Sequence, residues 1–220
     1  MCNLGSIFVN TSLTSNYFFV RDMPPAVDLL GDLVQLEDLV LRNNLLKNVP
    51  PSLVKLTNLK TLNMSGNHIH ALPNDVGNLT SLRTLEFNRN ELTIVPVSLL
   101  QCTALTTLCL HSNALERLPD AIGELPLLSK VDISGNRIKY LPFSLGFSST
   151  LREFILFGNP LEQPPIEEAI KNLTHVMWYM RSMSHIAERG KPPTMKFHSI
   201  GLAEERSLLL PEVKQYLAGQ

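Results

Sequence analysis

Leu105-Thr-Thr-Leu-Cys-Leu-His-Ser-Asn-Ala-Leu115 decides the fold. It reads Leu-x-x-Leu-x-Leu-x-x-Asn-x-Leu. The same pattern, with other apolar residues at some leucine sites, begins at Leu36, Leu59, Leu82, Leu128 and Leu151, always at one unvarying interval. A fixed period in the range of roughly 20–50 residues specifies a stacked solenoid. Within one unit, Leu108 and Leu110 are two apart, so they share one face of a short strand, and the residues between them point the other way. No single unit can bury its apolar side, but stacked neighbours make one continuous core. The asparagines Asn44, Asn67, Asn90, Asn113, Asn136 and Asn159 stand where the chain turns inward. There an amide side chain can satisfy backbone groups of the turns that would otherwise be buried unpaired.

The second half of each unit is also regular. Pro50, Pro73, Pro96, Pro119 and Pro142 recur at the same period, followed by apolar residues in steps of three, such as Val76, Leu79 and Leu82 or Ile122, Leu125 and Leu128. Such steps suit short helical or 3-10 turns. Parallel strands then line a concave face, and these turns line the convex one.

Both ends depart from the pattern. Leu30 and Leu33 lie one period before Leu53 and Leu56, so residues 1–35 hold a degenerate repeat whose convex half is present. At the fixed spacing its strand half is damaged, with Asn16 where a leucine is expected and Arg21 in the asparagine position. A closing cap and a piece of a longer array both account for this. Residues 36–165 form six repeats. Ile166, Ile170, Leu173, Met177 and Met180 then follow helical spacing, joined by Ala169 and Val176, so 166–190 reads as a capping helix. Gly190-Lys-Pro-Pro193 breaks it, and 191–220 read as linker and tail, with one apolar cluster at Leu208–Leu210.

The net charge is −1, with 18% charged residues, so the chain carries no electrostatic footprint for nucleic acid. It contains no apolar run of about 20 residues that could span a membrane. Met1–Val20 is mildly apolar but lacks a basic leading segment, and no secretory signal is expected. Cys102 falls on the convex side and Cys109 on the strand face. Together with Cys2 they make an odd, unpaired set, which points to a reducing, cytoplasmic compartment. The sequons at Asn10, Asn78 and Asn172 carry little weight without a signal sequence.

No catalytic or cofactor pattern is present: there is no phosphate-cradling glycine loop and no metal-binding Cys-x-x-Cys or His-Glu-x-x-His. No enzyme activity and no cofactor are expected. His68 and His70 flank the Asn67 turn and read as surface residues. The candidate site is the set of free positions on the strand face: Asp38, Thr61, Thr84, Thr107, Lys130 and Glu153; Val40, Asn63, Glu86, Cys109, Asp132 and Ile155; Arg42, Ser65, Asn88, His111, Ser134 and Phe157; and Asn43, Gly66, Arg89, Ser112, Gly135 and Gly158. The mixed polar centre suits a protein partner, and recognition is expected to centre on Glu86, Asn88, Arg89, His111, Lys130 and Asp132. Ile155 and Phe157 are apolar where inner repeats are polar, which suggests contact with the C-terminal tail or with a partner.

Leu72-Pro-Asn-Asp-Val-Gly-Asn-Leu-Thr-Ser-Leu82 and Leu118-Pro-Asp-Ala-Ile-Gly-Glu-Leu-Pro-Leu-Leu128 resemble the Leu-Pro-x-x-Ile-Gly-x-Leu-x-x-Leu wording of the Ras-associated scaffold type of leucine-rich repeat, found in plant intracellular Ras-group proteins and the Erbin/Scribble scaffolds. The resemblance covers about residues 27–165. It implies a right-handed α/β leucine-rich repeat solenoid, a horseshoe arc. It also implies an intracellular, non-enzymatic scaffold binding a protein of a small-GTPase or kinase signalling pathway. Two rivals are a regulatory fragment of a larger signalling enzyme or receptor with such repeats, and a secreted repeat protein.

Overall fold

The computed structural model describes residues 30–164 and the helix at 173–189, with side chains to 184, and the backbone of 12–14. Seven short strands form one parallel sheet in strict sequence order. They are β1 (Ser12–Thr14), β2 (Asp38–Val40), β3 (Thr61–Asn63), β4 (Thr84–Glu86), β5 (Thr107–Cys109), β6 (Lys130–Asp132) and β7 (Glu153–Ile155). The register from β2 to β7 advances by one full repeat per strand, as with Leu85↔Leu108 and Leu108↔Val131. The fold is a leucine-rich repeat solenoid.

The motif leucines account for the core. Leu39, Leu62, Leu85, Leu108 and Val131 are all at most 1% exposed. Phe87, Leu110 and Ile133 join them from the next inward position and are fully buried. The asparagines then tie neighbouring repeats together. The Asn113 Nδ2 donates to the carbonyls of Phe87 and Leu110, both at 2.9 Å, and its Oδ1 accepts the Leu92 N–H at 3.0 Å. Asn67, Asn90, Asn136 and Asn159 repeat this three-way bond. Such short strands have few ladder bonds, so these side chains supply much of the satisfaction that buried turns require.

The residue before each asparagine takes a left-handed backbone. It is Asn43, Gly66, Arg89, Ser112, Gly135 or Gly158, with φ between 54° and 71°. In the first five the N–H is held by the next repeat, as from Arg89 to the His111 carbonyl at 2.8 Å and from Gly135 to the Phe157 carbonyl at 2.8 Å. For Asn43, Arg89 and Ser112 the conformation costs about 1–2 kcal/mol. It is a requirement of the turn, and the three glycines there meet it without strain.

The convex side follows a second rhythm. Its 3-10 turns alternate in length: Pro51–Lys55, Val76–Asn78, Val97–Gln101, Ile122–Glu124 and Phe143–Phe147. The short turns carry Gly77 and Gly123, and the long turns carry Ser52, Ser98 and Ser144, each type recurring at twice the repeat length. A Cβ on Gly77 would lie 2.3 Å from the Ser98 carbonyl oxygen, and one on Gly123 would lie 2.3 Å from the Ser144 carbonyl carbon and oxygen. Gly31 meets Ser52 in the same way, at 2.8 Å. Gly123 N–H also donates to Ser144 Oγ at 3.0 Å. Short turns therefore press directly onto the backbone of the following long turn.

Two expectations about the ends need restating. β1 pairs Leu13 with Leu39, a longer step than the fixed period, which would have set Asn16 opposite Leu39. The strand of the degenerate repeat is thus present, but it lies at Leu13 and not at Asn16. The fixed period failed there because extra residues are accommodated between β1 and β2. Its convex half is as expected, with Leu30 buried and Leu33 packed against the core. At the other end, α1 runs Leu173–Arg189. The start expected at 166, with Ile166 and Ile170, lies outside the described residues, as does the tail 191–220. Val176, Tyr179 and Met180 are buried in the core, and Arg181 donates to the Gly146 carbonyl at 2.7 and 3.0 Å. The helix closes the core against the Phe143–Phe147 turn.

A concave face of non-repeating residues

On the strand face, residues two apart project together, and successive strands place them in rows. The row at the strand ends is Val40, Asn63, Glu86, Cys109, Asp132 and Ile155, in register across β2 to β7. Thr61, Thr84 and Thr107 form a parallel row two residues earlier, continued by Lys130 and Glu153. No side chain in the first row repeats, whereas the core leucines beneath it do.

The row is linked across repeats. Asn63 Nδ2 donates to Glu86 Oε2. The Asn63 Oδ1 accepts the Ser65 N–H at 3.1 Å. Asp132 Oδ1 accepts both the N–H of Ser134, at 3.0 Å, and its hydroxyl, at 2.7 Å. Asn88 Oδ1 accepts the His111 N–H at 3.0 Å, and His111 Nδ1 meets Ser112 Oγ at 3.1 Å. Lys130 Nζ reaches Glu153 Oε1 at 2.9 Å, and this bond holds the ammonium pKa up.

Several positions that the alternation marks as open are in fact covered. Asn63, Ser65, Cys109 and Ser134 are each at most 8% exposed. A concave sheet crowds its outward side chains, so small residues sink between larger neighbours. Ser65 and Ser134 occupy equivalent sites, but only Ser134 has its hydroxyl satisfied. Ser65 Oγ is buried with no hydrogen-bond partner among the described residues. Cys109 is similarly enclosed. Burial first, then the charges of Glu86 and Asp132, lift its thiol to about 11. Burial alone does the same for Cys102 on the convex side, whose Sγ donates to the Val76 carbonyl at 3.4 Å. Both thiols are free.

Of the residues expected to carry recognition, the sheet brings Glu86, Lys130, Asp132 and Ile155 onto the strands themselves. Asn88, His111 and Phe157 follow at the strand ends, and Arg89 sits in the left-handed turn at the rim. Phe157 is 65% exposed and Ile155 half-buried. His68 and His70 are not idle: Glu91 of the next repeat meets their Nδ1 atoms at 2.9 and 3.4 Å. Sequence spacing could have suggested the first contact, since Glu91 stands one full repeat after His68.

A leucine-rich repeat family profile matches residues 34–92. No curated protein sequence matches the chain. Among solved structures, a leucine-rich repeat protein of Leptospira interrogans is similar, with TM-score 0.61, 27% identity, 70% of this chain and 44% of that one covered. The leucine-rich repeat ectodomain of the Arabidopsis thaliana receptor kinase GASSHO1/SCHENGEN3, solved with CASPARIAN STRIP INTEGRITY FACTOR 2, matches with TM-score 0.59 and 30% identity, over 64% of this chain and 17% of that one. The plant peptide hormone receptor RGFR1 in complex with RGF2 matches with TM-score 0.58 and 27% identity, over 63% and 23%. The chain thus spans less than half the length of these structures. Leucine-rich repeats are typically non-enzymatic protein-interaction modules, and the receptor structures hold bound protein or peptide ligands. Among the described residues no helix is long and apolar enough to cross a membrane.

Proposed function

We propose that this protein is an intracellular interaction module that binds a protein partner on its concave strand face, as a scaffold in signal transduction. One observation carries the reading: residues that build the solenoid repeat strictly, while the row from Asn63 to Ile155 on the same strands does not. A surface held rigid by its core and varied residue by residue presents fixed groups to a partner, so little ordering entropy opposes binding. The Leu-Pro-x-x-Ile-Gly wording supports the Ras-associated type of repeat, and with it a partner from a small-GTPase or kinase pathway. The unpaired thiols support a cytoplasmic setting. The recognition centre is Glu86, Asn88, Arg89, His111, Lys130 and Asp132, with Ile155 and Phe157 as an apolar flank.

A second reading is that these repeats are the regulatory portion of a larger signalling enzyme or receptor, favoured by the small share of each receptor ectodomain that the chain spans. Transcripts extending the reading frame would support it. A secreted protein would carry glycan at Asn78, which is exposed.

The test is affinity capture from lysate with wild type and with Glu86→Arg/Arg89→Glu/Asp132→Arg, whose fold is checked by circular dichroism. Partners lost only from the variant are the expected result. Equal retention would move the site off this face.

A further inference from the structure

The bonding that links the repeats stops at β7, whose outer edge is open. In each earlier repeat two N–H groups beyond the strand donate to carbonyls of the next repeat: Phe87 to Cys109 and Arg89 to His111, Leu110 to Asp132 and Ser112 to Ser134, Ile133 to Ile155 and Gly135 to Phe157. The equivalent N–H groups of Leu156 and Gly158 meet no acceptor among the described residues. The core is unfinished at the same place. Phe154 is half-buried, whereas its counterparts Leu39, Leu62, Leu85, Leu108 and Val131 are at most 1% exposed. α1 packs on the convex side, against the Phe143–Phe147 turn.

The chain carries a segment with the pattern this edge needs. Thr194-Met-Lys-Phe-His-Ser-Ile-Gly-Leu202 aligns with Glu153-Phe-Ile-Leu-Phe-Gly-Asn-Pro-Leu161. Met195 and Phe197 then stand for Phe154 and Leu156, and Leu202 for Leu161. Thr194, Lys196 and His198 stand for Glu153, Ile155 and Phe157. The leading leucine and the asparagine are replaced by Pro192 and Ile200, and terminal units of a solenoid are atypical. The spacing from α1 fits as well. Each 3-10 turn ends six residues before the next strand begins: Lys55 to Thr61, Asn78 to Thr84, Gln101 to Thr107, Glu124 to Lys130 and Phe147 to Glu153. α1 ends at Arg189, and Thr194 follows five residues later.

We propose that Thr194–His198 docks on the open edge of β7 as an eighth parallel strand, with α1 as the crossover. The Leu156 N–H then donates to the Lys196 carbonyl and the Gly158 N–H to the His198 carbonyl, continuing the bonds of the earlier repeats. Met195 and Phe197 cover Phe154 and finish the core. The strand, helix and strand make a βαβ unit, whose crossover is right-handed as such units require. Attachment through a short link gives the segment an effective concentration in about the millimolar range at this edge, which favours it over a strand from a second copy or from another protein. The concave face gains Thr194, Lys196 and His198 beside Glu153, Ile155 and Phe157. This goes beyond the concave-face reading and stands without it.

The experiment follows amide hydrogen exchange in the isotope-labelled full chain by NMR. Met195→Asp/Phe197→Asp is the test variant, and Leu208→Asp/Leu210→Asp is the control. In the wild type and the control, the Leu156 and Gly158 amides should be protected to an extent independent of protein concentration. In the test variant both should exchange at least tenfold faster, while Leu110 and Ser112, bonded within the sheet, keep their rates. Nuclear Overhauser contacts between Phe154 and Met195 should accompany the protection in the wild type, and their absence overturns the proposal whatever the variants do. Unprotected Leu156 and Gly158 in the wild type overturn it too. Protection that grows with concentration places a second copy on the edge, and protection lost in the control variant places a later segment there; either result overturns the docking of Thr194–His198. Protection untouched by both variants does the same.

Discussion

Asn88 and Asn90 are two residues apart in one repeat, yet they belong to different regimes. Asn90 has counterparts in each of the six full repeats and bonds four backbone groups drawn from its own and the preceding repeat. Asn88 has no asparagine counterpart in its row and accepts one N–H from the following repeat. The same contrast separates the turn side of the solenoid from its concave strands. On the turn side the asparagines from Asn67 to Asn159 make the same bonds in each repeat. On the strands the chain keeps the apolar core positions and varies the row from Val40 to Ile155 between them. Uniformity marks the groups the fold cannot do without, and variation marks those the fold leaves free.

The largest effect should come from breaking the uniform side. Asn90→Leu keeps the volume but leaves the Ile69 N–H and the carbonyls of Met64 and Phe87 without their side-chain partner inside the coil. A buried polar group left unmade costs about 1–3 kcal/mol, so the variant should lose about 3–5 kcal/mol in urea unfolding. Asn88→Ala, in the neighbouring row, gives up a single hydrogen bond and should lose about 1 kcal/mol. Equal losses would erase the distinction between the two asparagines.

The convex side lies between these regimes, because it repeats at twice the length of the coil. Gly123 is pressed against the Ser144 backbone, while the residue one repeat earlier, Leu100, packs against the core. Gly123→Ala should therefore destabilise by about 1–3 kcal/mol through overpacking, even though alanine is the better helix former. A neutral or stabilising result would show that the alternating turns do not interlock.

The two regimes also explain what could be read from sequence. The solenoid, the core leucines, the asparagine ladder and the 3-10 turns follow from one period, and each is observed. The same period put the first strand at Asn16 in place of Leu13, because a fixed spacing cannot register an insertion between Leu13 and Leu39. The row of Asn43, Gly66, Arg89, Ser112, Gly135 and Gly158 looked like part of the interaction surface. Its glycines were the signal that the turn imposes a left-handed backbone there. On the concave face, alternation located the outward residues but not their exposure. Whether Asn63 or Ser134 is open depends on how tightly neighbouring repeats crowd it, and that is set by curvature and by side chains of the adjoining strands. The link from Glu91 to His68 and His70 is likewise a property of stacking.

The smallest expected change in stability is also the sharpest probe of the concave face. Glu86→Gln/Asp132→Asn preserves shape and should shift unfolding by less than about 0.5 kcal/mol at neutral pH. Its effect belongs to Cys109, whose thiol is raised from an ordinary 9.0 to about 11, first by burial and then by these two carboxylates. Removing both charges lowers the thiol pKa while the burial contribution remains, so iodoacetamide labelling at about pH 8.5, near the ordinary thiol range, should accelerate several-fold. Cys102, raised to about 11 by burial on the opposite side, is the internal control and should keep its rate. The pH dependence of stability gives the sign independently. A thiol whose folded pKa lies above its unfolded value leaves stability intact below about pH 9, and stability is lost as pH rises toward about 11. With the folded pKa of Cys109 brought down, the double variant should lose less across that window than the wild type. If Cys109 labels at the wild-type rate and the alkaline loss is unchanged, the two carboxylates do not act on the Cys109 thiol. The concave face would then be a set of separate hydrogen-bonded pairs with no shared negative potential.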